Sequence, residues 1–296
     1  MSIVNLIGGL GNQMFQYAFG QSLAQECKIK VFFDTTELLN RAPKENFTYR
    51  DFELSIFEGE VPLASSDLLR LFTFQPKSLS ERIYYRLLRK LKQVRYYPEA
   101  QNFVYEPAVW RTSPNTYFEG YWQSELYFQK HEQLIRQCFK FKTPLAGKNL
   151  QLAQQMEGEN AIAIHVRRGD YANNQHINGV HGTCSPEYYQ AAISIIASQV
   201  SNPVLYIFSD EPEWVAQNMQ FGYPVTYVSH NTGKSSFEDM RLMSLCKHNI
   251  IANSSFSWWG AWLNTNKNKI VVAPKQWFAT MPEYSINLIP LSWIQI

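Results

Sequence analysis

Short runs of β-branched and other apolar residues recur through the second half of the chain, and segments of helical periodicity separate them. The runs are AIAIHV (161–166), VLYIFSD (204–210), VTYVS (225–229), NIIAN (249–253) and KIVVAP (269–274). Continuous apolar runs of this length are typical of strands that are buried on both faces of a parallel sheet. Strands that alternate with helices predict right-handed crossovers and a doubly wound α/β sheet.

Helical patterns fill the gaps between these runs. SPEYYQAAISIIASQ begins with Ser185, a predicted N-cap, and places Pro186 at the first helical position. Its residues Tyr189, Ile193 and Ile196 fall on one face, as in an amphipathic helix. Three further helices are predicted for the segments PEWVAQNM, SFEDMRLMSLC and SFSWWGAWL.

The first half of the chain is less regular but opens with a similar unit. SIVNLI, the glycine turn GGLGNQMFQYAFG and KVFFD (30–34) predict a strand, a tight turn, a helix and a second strand. A β-α unit in each half predicts two Rossmann-like domains, with a boundary in KTPLAG (142–147). We therefore assign residues 1–146 to the first domain and 147–296 to the second.

Composition narrows the class of protein. The chain has 296 residues, of which 45% are hydrophobic and 18% charged, as expected for a globular protein with a sizeable core. A net charge of +2 is too small to indicate binding to nucleic acid. The four cysteines lie far apart without a C-x-x-C pair, which disfavours a zinc knuckle or a disulfide framework and fits a reducing compartment.

Targeting signals are not evident in the sequence. The first basic residue is Lys28, so the charged n-region of a signal peptide is missing, and no apolar stretch reaches 18 residues. We expect a cytoplasmic protein, at most peripheral to the inner membrane.

Residues 77–95 form the one cluster of like charges. Lys77, Arg82, Arg86, Arg89, Lys90, Lys92 and Arg95 stand against the single acid Glu81, while Leu79, Ile83, Leu87 and Leu91 repeat every four residues. The pattern predicts an amphipathic basic helix. The simpler interpretation is a core helix with a solvated charged face. The alternative is contact with an anionic membrane surface.

Polar residues follow the predicted strands of the second half, where open parallel sheets bind their ligands. They are His165, Arg167 and Arg168; Ser209, Asp210 and Glu211; His230; and Asn253, Ser254, Ser255 and Ser257. Arginine stays charged, and burying it without a partner is costly, so the arginines are expected to face an anion. A helix start rich in serine attracts phosphate. Together these residues predict a nucleotide site in the second domain.

The chain has neither a D-x-D pair nor a G-x-x-x-x-G-K-[ST] loop. Neither the metal–diphosphate clamp of many transferases nor the phosphate loop of NTPases is therefore predicted. A diphosphate leaving group would instead be stabilised by arginines and main-chain amides, with no metal ligands and no cofactor.

Three blocks resemble the signature segments of bacterial α-1,2-fucosyltransferases: GGLGNQMFQYAFG (8–20), HVRRGDY (165–171) and IIANSSFSWWGAWL (250–263). The resemblance implies a GT-B-like architecture of two Rossmann-like domains with parallel sheets facing across a cleft. It implies inverting, metal-independent transfer of L-fucose from GDP-β-L-fucose to O2 of a terminal galactose. The acceptor would be a β-galactoside, either an oligosaccharide or a lipid-linked glycan, bound on the side of the first domain.

The same resemblance implies roles for individual residues. Arg167 and Arg168 match the arginines of the donor diphosphate, and Arg168 is expected to act in catalysis. The donor-binding set is His165, Arg167, Arg168, Asp210, Glu211, Asp239, Asn253, Ser254, Ser255 and Ser257. Asn12 corresponds to an asparagine beside donor and acceptor in protein O-fucosyltransferases, although it is equally well explained as the N-cap of a helix that begins at Gln13.

A general base for the acceptor hydroxyl is not clearly marked. The glutamate proposed as base in α-1,6 relatives corresponds here to Gln175, which cannot accept the proton. We assign the base to Asp170; Asp34, His176, His181 and a displacement with weak base assistance remain alternatives.

Two other functions compete with this interpretation. GGLGNQ with Asp34 about 20 residues later imitates the dinucleotide fingerprint of an NAD-dependent oxidoreductase, but the third glycine falls at Met14. A non-catalytic carbohydrate-binding or adhesion module is suggested by Arg168-Gly169-Asp170 and by the tryptophans at 258, 259 and 262, whose helical spacing is more typical of core residues.

Overall fold

The computed structural model describes residues 1–43, 49–101, 103–169, 182–279 and 286–296. The chain groups into two compact units. Unit 1 consists of Met1–Lys142 with Ile286–Leu288, and unit 2 consists of Thr143–Ser285 with Ile289–Ile296. The domain ranges 1–146 and 147–296 remain a prediction.

Unit 1 contains a parallel four-stranded sheet. Its strands are β1 (Ser2–Asn5), β2 (Val31–Asp34), β3 (Arg95–Pro98) and β4 (Thr116–Glu119), in the order β2-β1-β4-β3. Asn5 pairs with Asp34, and Glu119 with Pro98, so the carboxyl ends of the strands lie at one edge. Helix α1 (Leu10–Cys27) connects β1 to β2.

The core of unit 1 is aromatic. Phe19 of α1 stacks on Trp122 with ring centroids 4.3 Å apart, and Tyr127 meets Phe19 edge-on at 5.4 Å. The remaining helices of the unit's described residues are α2 (Ser66–Thr73), α3 (Leu79–Leu91), α4 (Glu132–Cys138) and the short 3-10 helices Leu54–Ile56, Pro107–Arg111, Glu125–Tyr127 and Gln129–His131.

Unit 2 alternates helices and strands as predicted. The strands are β5 (Asn160–Val166), β6 (Pro203–Ser209), β7 (Val225–Val228), β8 (His248–Ile250), β9 (Val271–Ala273) and β10 (Ile294–Gln295). The helices are α5 (Gly147–Gly158), α6 (Pro186–Ala197), α7 (Pro212–Asn218), α8 (Phe237–Leu245), α9 (Ser255–Leu263) and the 3-10 helix Gly233–Ser235. Ser185 caps α6 by accepting a hydrogen bond from the Tyr188 amide, which confirms the predicted cap.

The sheet of unit 2 is parallel, in the order β10-β9-β8-β5-β6-β7. From the central strand β5 the chain runs outward through β6 and β7, then returns to the other side of β5 and runs outward again through β8, β9 and β10. Counted within the unit, this is the Rossmann order 3-2-1-4-5-6, and the strand order reverses between β5 and β8. Ligands of such sheets bind outside the carboxyl ends of the strands at this switch point.

Helix α3 differs from the simpler interpretation of the basic segment. A capping box between Ser78 and Glu81 starts the helix, but none of its residues is buried. Its apolar stripe is exposed to solvent by 73, 54, 56 and 80% at Leu79, Ile83, Leu87 and Leu91 respectively. The interpretation as a core helix is therefore wrong: the helix is amphipathic, but its apolar stripe does not pack on the core.

Within the described residues, no helix combines the length and the apolar character needed to cross a bilayer.

Candidate active site

The two arginines that follow β5 are both paired with carboxylates that follow the neighbouring strand β6. Nη1 of Arg167 lies 2.8 Å from Oδ2 of Asp210, and Nε of Arg168 lies 3.1 Å from Oε2 of Glu211. The main-chain amide of Arg168 also donates to Oδ1 of Asp210 at 2.9 Å. All four side chains are 21–25% exposed. The carboxylates orient the guanidinium groups while leaving each pair open to solvent.

A tryptophan fixes the Arg168 guanidinium from a second direction. Its Cζ atom lies 3.4 Å from the ring centroid of Trp214, on α7. A guanidinium over an indole face is stabilised by a cation–π interaction, and the contact also restricts the rotamers of the long side chain. Arg168 is therefore held by the Glu211 carboxylate and an aromatic face.

Gly169 allows the close approach of Asp210. A Cβ atom added at Gly169 would lie 2.5 Å from Oδ2 of Asp210, closer than any real contact of this kind. A side chain at position 169 would therefore displace the carboxylate that pairs with Arg167. The third residue of the Arg167-Arg168-Gly169 run is thus explained by packing of the ion pair.

His165 lies inside unit 2 just before the arginines. The residue is 6% exposed, and its Nδ1 atom has no hydrogen-bond partner within the described part of the chain. Burial, and secondarily the charge of Arg167, lower the pKa of His165 to about 3. The imidazole is therefore neutral at physiological pH and presents one donor and one acceptor nitrogen.

The segment after β8 divides into buried supports and a helix start. The side-chain amide of Asn253 donates to the carbonyl oxygens of Gly182 and Trp277 at 3.3 and 3.1 Å, and the Ser257 hydroxyl donates to the carbonyl oxygen of Ser254 at 3.2 Å. Asn253 and Ser257 are 2 and 0% exposed. Both bind main-chain atoms of unit 2, and a direct role in donor binding remains a prediction for each.

Ser254 and Ser255 lie at the N-terminus of α9. Ser254 is the N-cap residue, has extended backbone, and makes no side-chain capping bond. Ser255 is the first residue of the helix. The amide groups of a first helical turn lack intrahelical partners and attract anions. Contact of these two serines with phosphate remains a prediction.

The tryptophans of α9 belong to the core of unit 2. Trp258 and Trp259 are fully buried, Trp262 is 5% exposed, and the rings of Trp259 and Trp262 lie 5.2 Å apart. Buried rings cannot form a platform for a sugar, so the tryptophans no longer support the carbohydrate-binding module that they suggested together with Arg168-Gly169-Asp170.

Asp239, in the first turn of α8, belongs to a polar network that sequence reasoning did not find. Its Oδ1 atom accepts a hydrogen bond from Nδ2 of Asn231 at 2.8 Å, and Asn231 accepts one from Asn149 at 2.9 Å. Nε2 of His230 lies 2.7 Å from Oδ1 of Asn149. Burial raises the pKa of Asp239 to about 7, with a smaller contribution from Glu238. His230 was marked in the sequence by its position after β7, and Asp239 was assigned to the donor-binding set; Asn149 and Asn231 were not singled out. The role of Asp239 in donor binding remains a prediction.

The glycine turn of unit 1 leads directly into α1. The helix begins at Leu10 with Gly9 as N-cap, so Asn12 is the third helical residue. The prediction that Asn12 caps a helix starting at Gln13 is wrong. Gly8 has a φ of +78°, and a Cβ atom there would collide with the Asn12 amide. Oδ1 of Asn12 accepts a hydrogen bond from Nε2 of Gln123 at 2.8 Å.

Two buried glutamines brace this turn and were not singled out from the sequence. Gln13 donates to the carbonyl oxygens of Gly8 and Asp51 at 2.9 and 2.8 Å. Gln16 accepts from the Ile7 amide at 3.0 Å and donates to the Gly120 carbonyl oxygen at 3.1 Å. The residues that follow the glycines thus stabilise the backbone of the turn.

Asp34, an alternative base and the acidic residue of the imitated dinucleotide fingerprint, is 3% exposed. Its Oδ1 accepts from the amide and hydroxyl of Thr36 at 2.8 and 2.6 Å, and its Oδ2 accepts from the Tyr117 hydroxyl at 2.8 Å. Both carboxylate oxygens already accept hydrogen bonds inside unit 1. This favours neither a role as general base nor a role in binding a dinucleotide.

The predicted base Asp170 lies outside the described residues, as do Gln175, His176 and His181. Its role remains a prediction.

Comparison with solved structures bears on the fold. NodZ alpha-1,6-fucosyltransferase, crystallised from Bradyrhizobium and soaked with GDP-fucose, resembles this chain with a TM-score of 0.50 at 16% identity, over 88% of this chain and 92% of that chain. This similarity concerns the fold alone, and it confirms the predicted GT-B-like α/β class.

Comparison with known sequences bears on the family. O-antigen biosynthesis glycosyltransferase WbnK of Escherichia coli is 34% identical over 98% of this chain and 99% of its own length. Alpha-1,2-colitosyltransferase of E. coli is 33% identical over 100 and 99%, and galactoside alpha-(1,2)-fucosyltransferase 2 of Gorilla gorilla gorilla is 24% identical over 89 and 69%. The model of the family described as Glycosyl transferase family 11 matches residues 1–294. The chain therefore belongs to glycosyl transferase family 11.

Proposed function

We propose that this protein transfers L-fucose from GDP-β-L-fucose to O2 of a terminal β-galactose and forms an α-1,2-fucoside with inversion. The observation that supports this best is the pair Arg167 and Arg168 at the switch point of a Rossmann-type sheet, each oriented by a carboxylate. Relatives named as α-1,2-fucosyl and α-1,2-colitosyl transferases support the linkage.

In the proposed reaction the arginines bind the donor diphosphate. The bond between C1 of fucose and the β-phosphate oxygen breaks, a bond from the galactose O2 to C1 forms on the opposite face, and GDP leaves. Negative charge grows on the leaving phosphate as the bond breaks, so cations fixed beforehand stabilise the transition state more than the ground state. We propose that the two guanidiniums, together with the amides at the start of α9, stabilise this charge, which is the basis for proposing a metal-independent reaction.

The remaining predicted residues support this centre in distinct ways. We propose that Asp210 and Glu211 position the arginines, and that Ser254 and Ser255 contact phosphate oxygens at the start of α9. Neutral His165 offers a hydrogen bond to the nucleotide through its imidazole. Asp170 is proposed to accept the proton of the acceptor O2 hydroxyl, and Asn12 is proposed to position the reacting sugars.

Colitosyl transfer is the second candidate, because one relative at 33% identity is named alpha-1,2-colitosyltransferase. Colitose is 3-deoxy-L-fucose, so the two donors differ by a single hydroxyl group. The diphosphate contacts are indifferent to that hydroxyl. Discrimination depends on whether a buried polar group pairs with O3, since a site built for a hydroxyl rejects a ligand that lacks it.

The deciding experiment incubates the protein with GDP-fucose and, separately, with GDP-colitose. The acceptors are lactose, N-acetyllactosamine and galactosyl-β-1,3-N-acetylgalactosamine, and NMR determines the linkage of any product. An α-1,2-fucoside formed faster than the colitoside supports the first candidate, and the reverse order supports the second. Absence of both products with every acceptor would reject the proposal.

A parallel assay tests whether the transfer reaction needs a divalent metal ion. Turnover should persist in excess EDTA. Loss of turnover that Mn²⁺ restores would contradict charge stabilisation by arginines alone.

A further inference from the structure

The apolar stripe of helix α3 faces solvent along its whole length. Leu79, Ile83, Leu87 and Leu91, spaced four residues apart, are 54–80% exposed, and Tyr84 beside them is 61% exposed. Isolated exposed leucines are ordinary on protein surfaces, but a continuous apolar stripe on one helix indicates a binding surface for a protein, a membrane or another ligand.

The opposite side of α3 is attached to α2 and its following loop. Arg89 donates to the carbonyl oxygens of Leu71 and Phe74 at 2.9 and 2.7 Å, and the rings of Phe74 and Tyr85 lie 4.5 Å apart. These contacts fix the rotation of α3 about its axis. The stripe therefore lies on the face of α3 that is opposite to α2 and Phe74.

The charge around the stripe selects the kind of partner. Residues 77–95 contain seven basic residues and one acid, a net charge of +6, whereas the whole chain carries +2. All other residues together therefore carry −4, and the positive charge is concentrated in the segment that contains this helix. Arg82, Arg86 and Lys90 precede Ile83, Leu87 and Leu91 by one residue each, which places a basic row directly along one flank of the stripe.

We infer that α3 is an interfacial helix that binds the surface of an anionic membrane. Its leucines would enter the boundary between headgroups and acyl chains, and its basic flank would contact lipid phosphates, the arrangement that interfacial amphipathic helices use. A second copy of this chain is the less favourable occupant, because stripe-to-stripe packing would bring two segments of charge +6 together. This inference goes beyond the proposed transfer reaction and does not depend on it.

The test is sedimentation of the whole protein with sucrose-loaded vesicles. One set contains phosphatidylcholine alone, and the other contains phosphatidylcholine with phosphatidylglycerol. Binding is expected to the anionic set only and should weaken as salt is raised, because screening acts on exposed charges. Failure to bind anionic vesicles, or equal binding to both sets, would overturn the inference.

Three variants separate the contributions. Arg82→Gln/Arg86→Gln/Lys90→Gln removes the basic flank, and Ile83→Ser/Leu87→Ser/Leu91→Ser removes the stripe; each should lower the partition coefficient by roughly tenfold or more. The matched control replaces the exposed lysines 30, 140 and 267 by glutamine and should bind as the wild type does. Equal losses in the flank variant and the control would show nonspecific attraction and reject a specific helix surface.

Circular dichroism and urea denaturation of each variant establish that the fold is intact. Analytical ultracentrifugation tests the second occupant. A wild-type dimer that the serine variant dissociates would overturn the lipid assignment.

Discussion

In unit 2, Oδ2 of Asp210 lies 2.8 Å from Nη1 of Arg167, while Oδ1 of the same carboxylate accepts the main-chain amide of Arg168. One side chain at the end of β6 thus orients two consecutive residues at the end of β5. This arrangement preorganises the guanidinium groups before any ligand binds, and preorganised charge costs no rearrangement during the reaction.

Removal of either guanidinium should slow the proposed reaction. Arg168→Ala is expected to lower kcat/KM by about 10²-fold or more, and Arg167→Ala somewhat less, because each loses charge stabilisation of the leaving diphosphate. Steady-state kinetics with a soluble acceptor measures the effect. Arg136→Ala, which removes an arginine paired with Glu132 in unit 1, should keep nearly full activity. Near-normal rates in both strand-end variants would remove the arginines from the mechanism.

A methyl group at Gly169 should act through Asp210. Gly169→Ala would place Cβ 2.5 Å from Oδ2 of Asp210, so the carboxylate must move and the Arg167 pair must loosen. We expect GDP affinity, measured by isothermal titration calorimetry, to fall by roughly tenfold. At Gly158 an added Cβ meets nothing within 4 Å, and Gly158→Ala should leave affinity unchanged. Equal affinity in both variants would contradict this account of the turn.

Two serines three positions apart should respond differently to the same substitution. Ser257→Ala removes a buried hydroxyl that donates to main-chain oxygens, so the free energy of unfolding should fall by about 1 kcal/mol with little change in donor KM. Ser254→Ala should raise the donor KM and leave unfolding nearly unchanged, since its hydroxyl makes no capping bond. Urea denaturation and donor kinetics on both variants give the comparison, and a reversed pattern would contradict the assignment.

Asp239 should make the stability of unit 2 depend on pH. Burial raises its pKa from 3.8 to about 7 in the folded protein. Between these values the folded state keeps a proton that the unfolded state has lost, so the free energy of unfolding falls as pH rises through this window. The contribution is at most about 1.4 kcal/mol per pH unit.

Asp239→Asn cannot ionise, yet its amide oxygen can still accept from Asn231. Its unfolding free energy should therefore decline less than that of the wild type between about pH 5 and about pH 7, as measured by urea denaturation. Glu157→Gln, at an exposed position of the same unit, serves as the control. Parallel pH profiles for wild type and Asp239→Asn would show that this carboxylate does not cause the dependence.

Local patterns were enough to locate strands β5 to β9 and helices α6 to α9 of unit 2, because buried strands need apolar residues and α6 has a side-chain cap at Ser185. Helix α5 was not predicted. The patterns were also not enough for β3, whose sequence RYYP is mostly exposed, or for the two-residue strand β10. Strand order also escaped prediction, since it depends on pairing between residues far apart in the chain.

In the candidate site, too, some features could be predicted from the sequence and others could not. The sequence was enough to predict that Arg167 and Arg168 lie at the end of a buried strand and that each needs a charged partner. Their partners were not predicted: Asp210, assigned from the sequence only to the donor-binding set, pairs with Arg167, and Trp214 gave no signal of its contact with Arg168. The helix start at Gly9 was misplaced because glycine is only a modest N-cap signal.

The small segment Ile286–Leu288 has a consequence for how unit 1 reaches its final form. The Ser124 hydroxyl and the Tyr105 amide donate to Asn287, which lies 163 and 182 residues later in the chain. During synthesis these two hydrogen bonds cannot form until nearly all of unit 2 has been made, because both acceptor atoms belong to Asn287. A fragment cut at residue 142 would lack them altogether, so separate expression of the halves should leave the first one less well ordered around Ser124 and Tyr105.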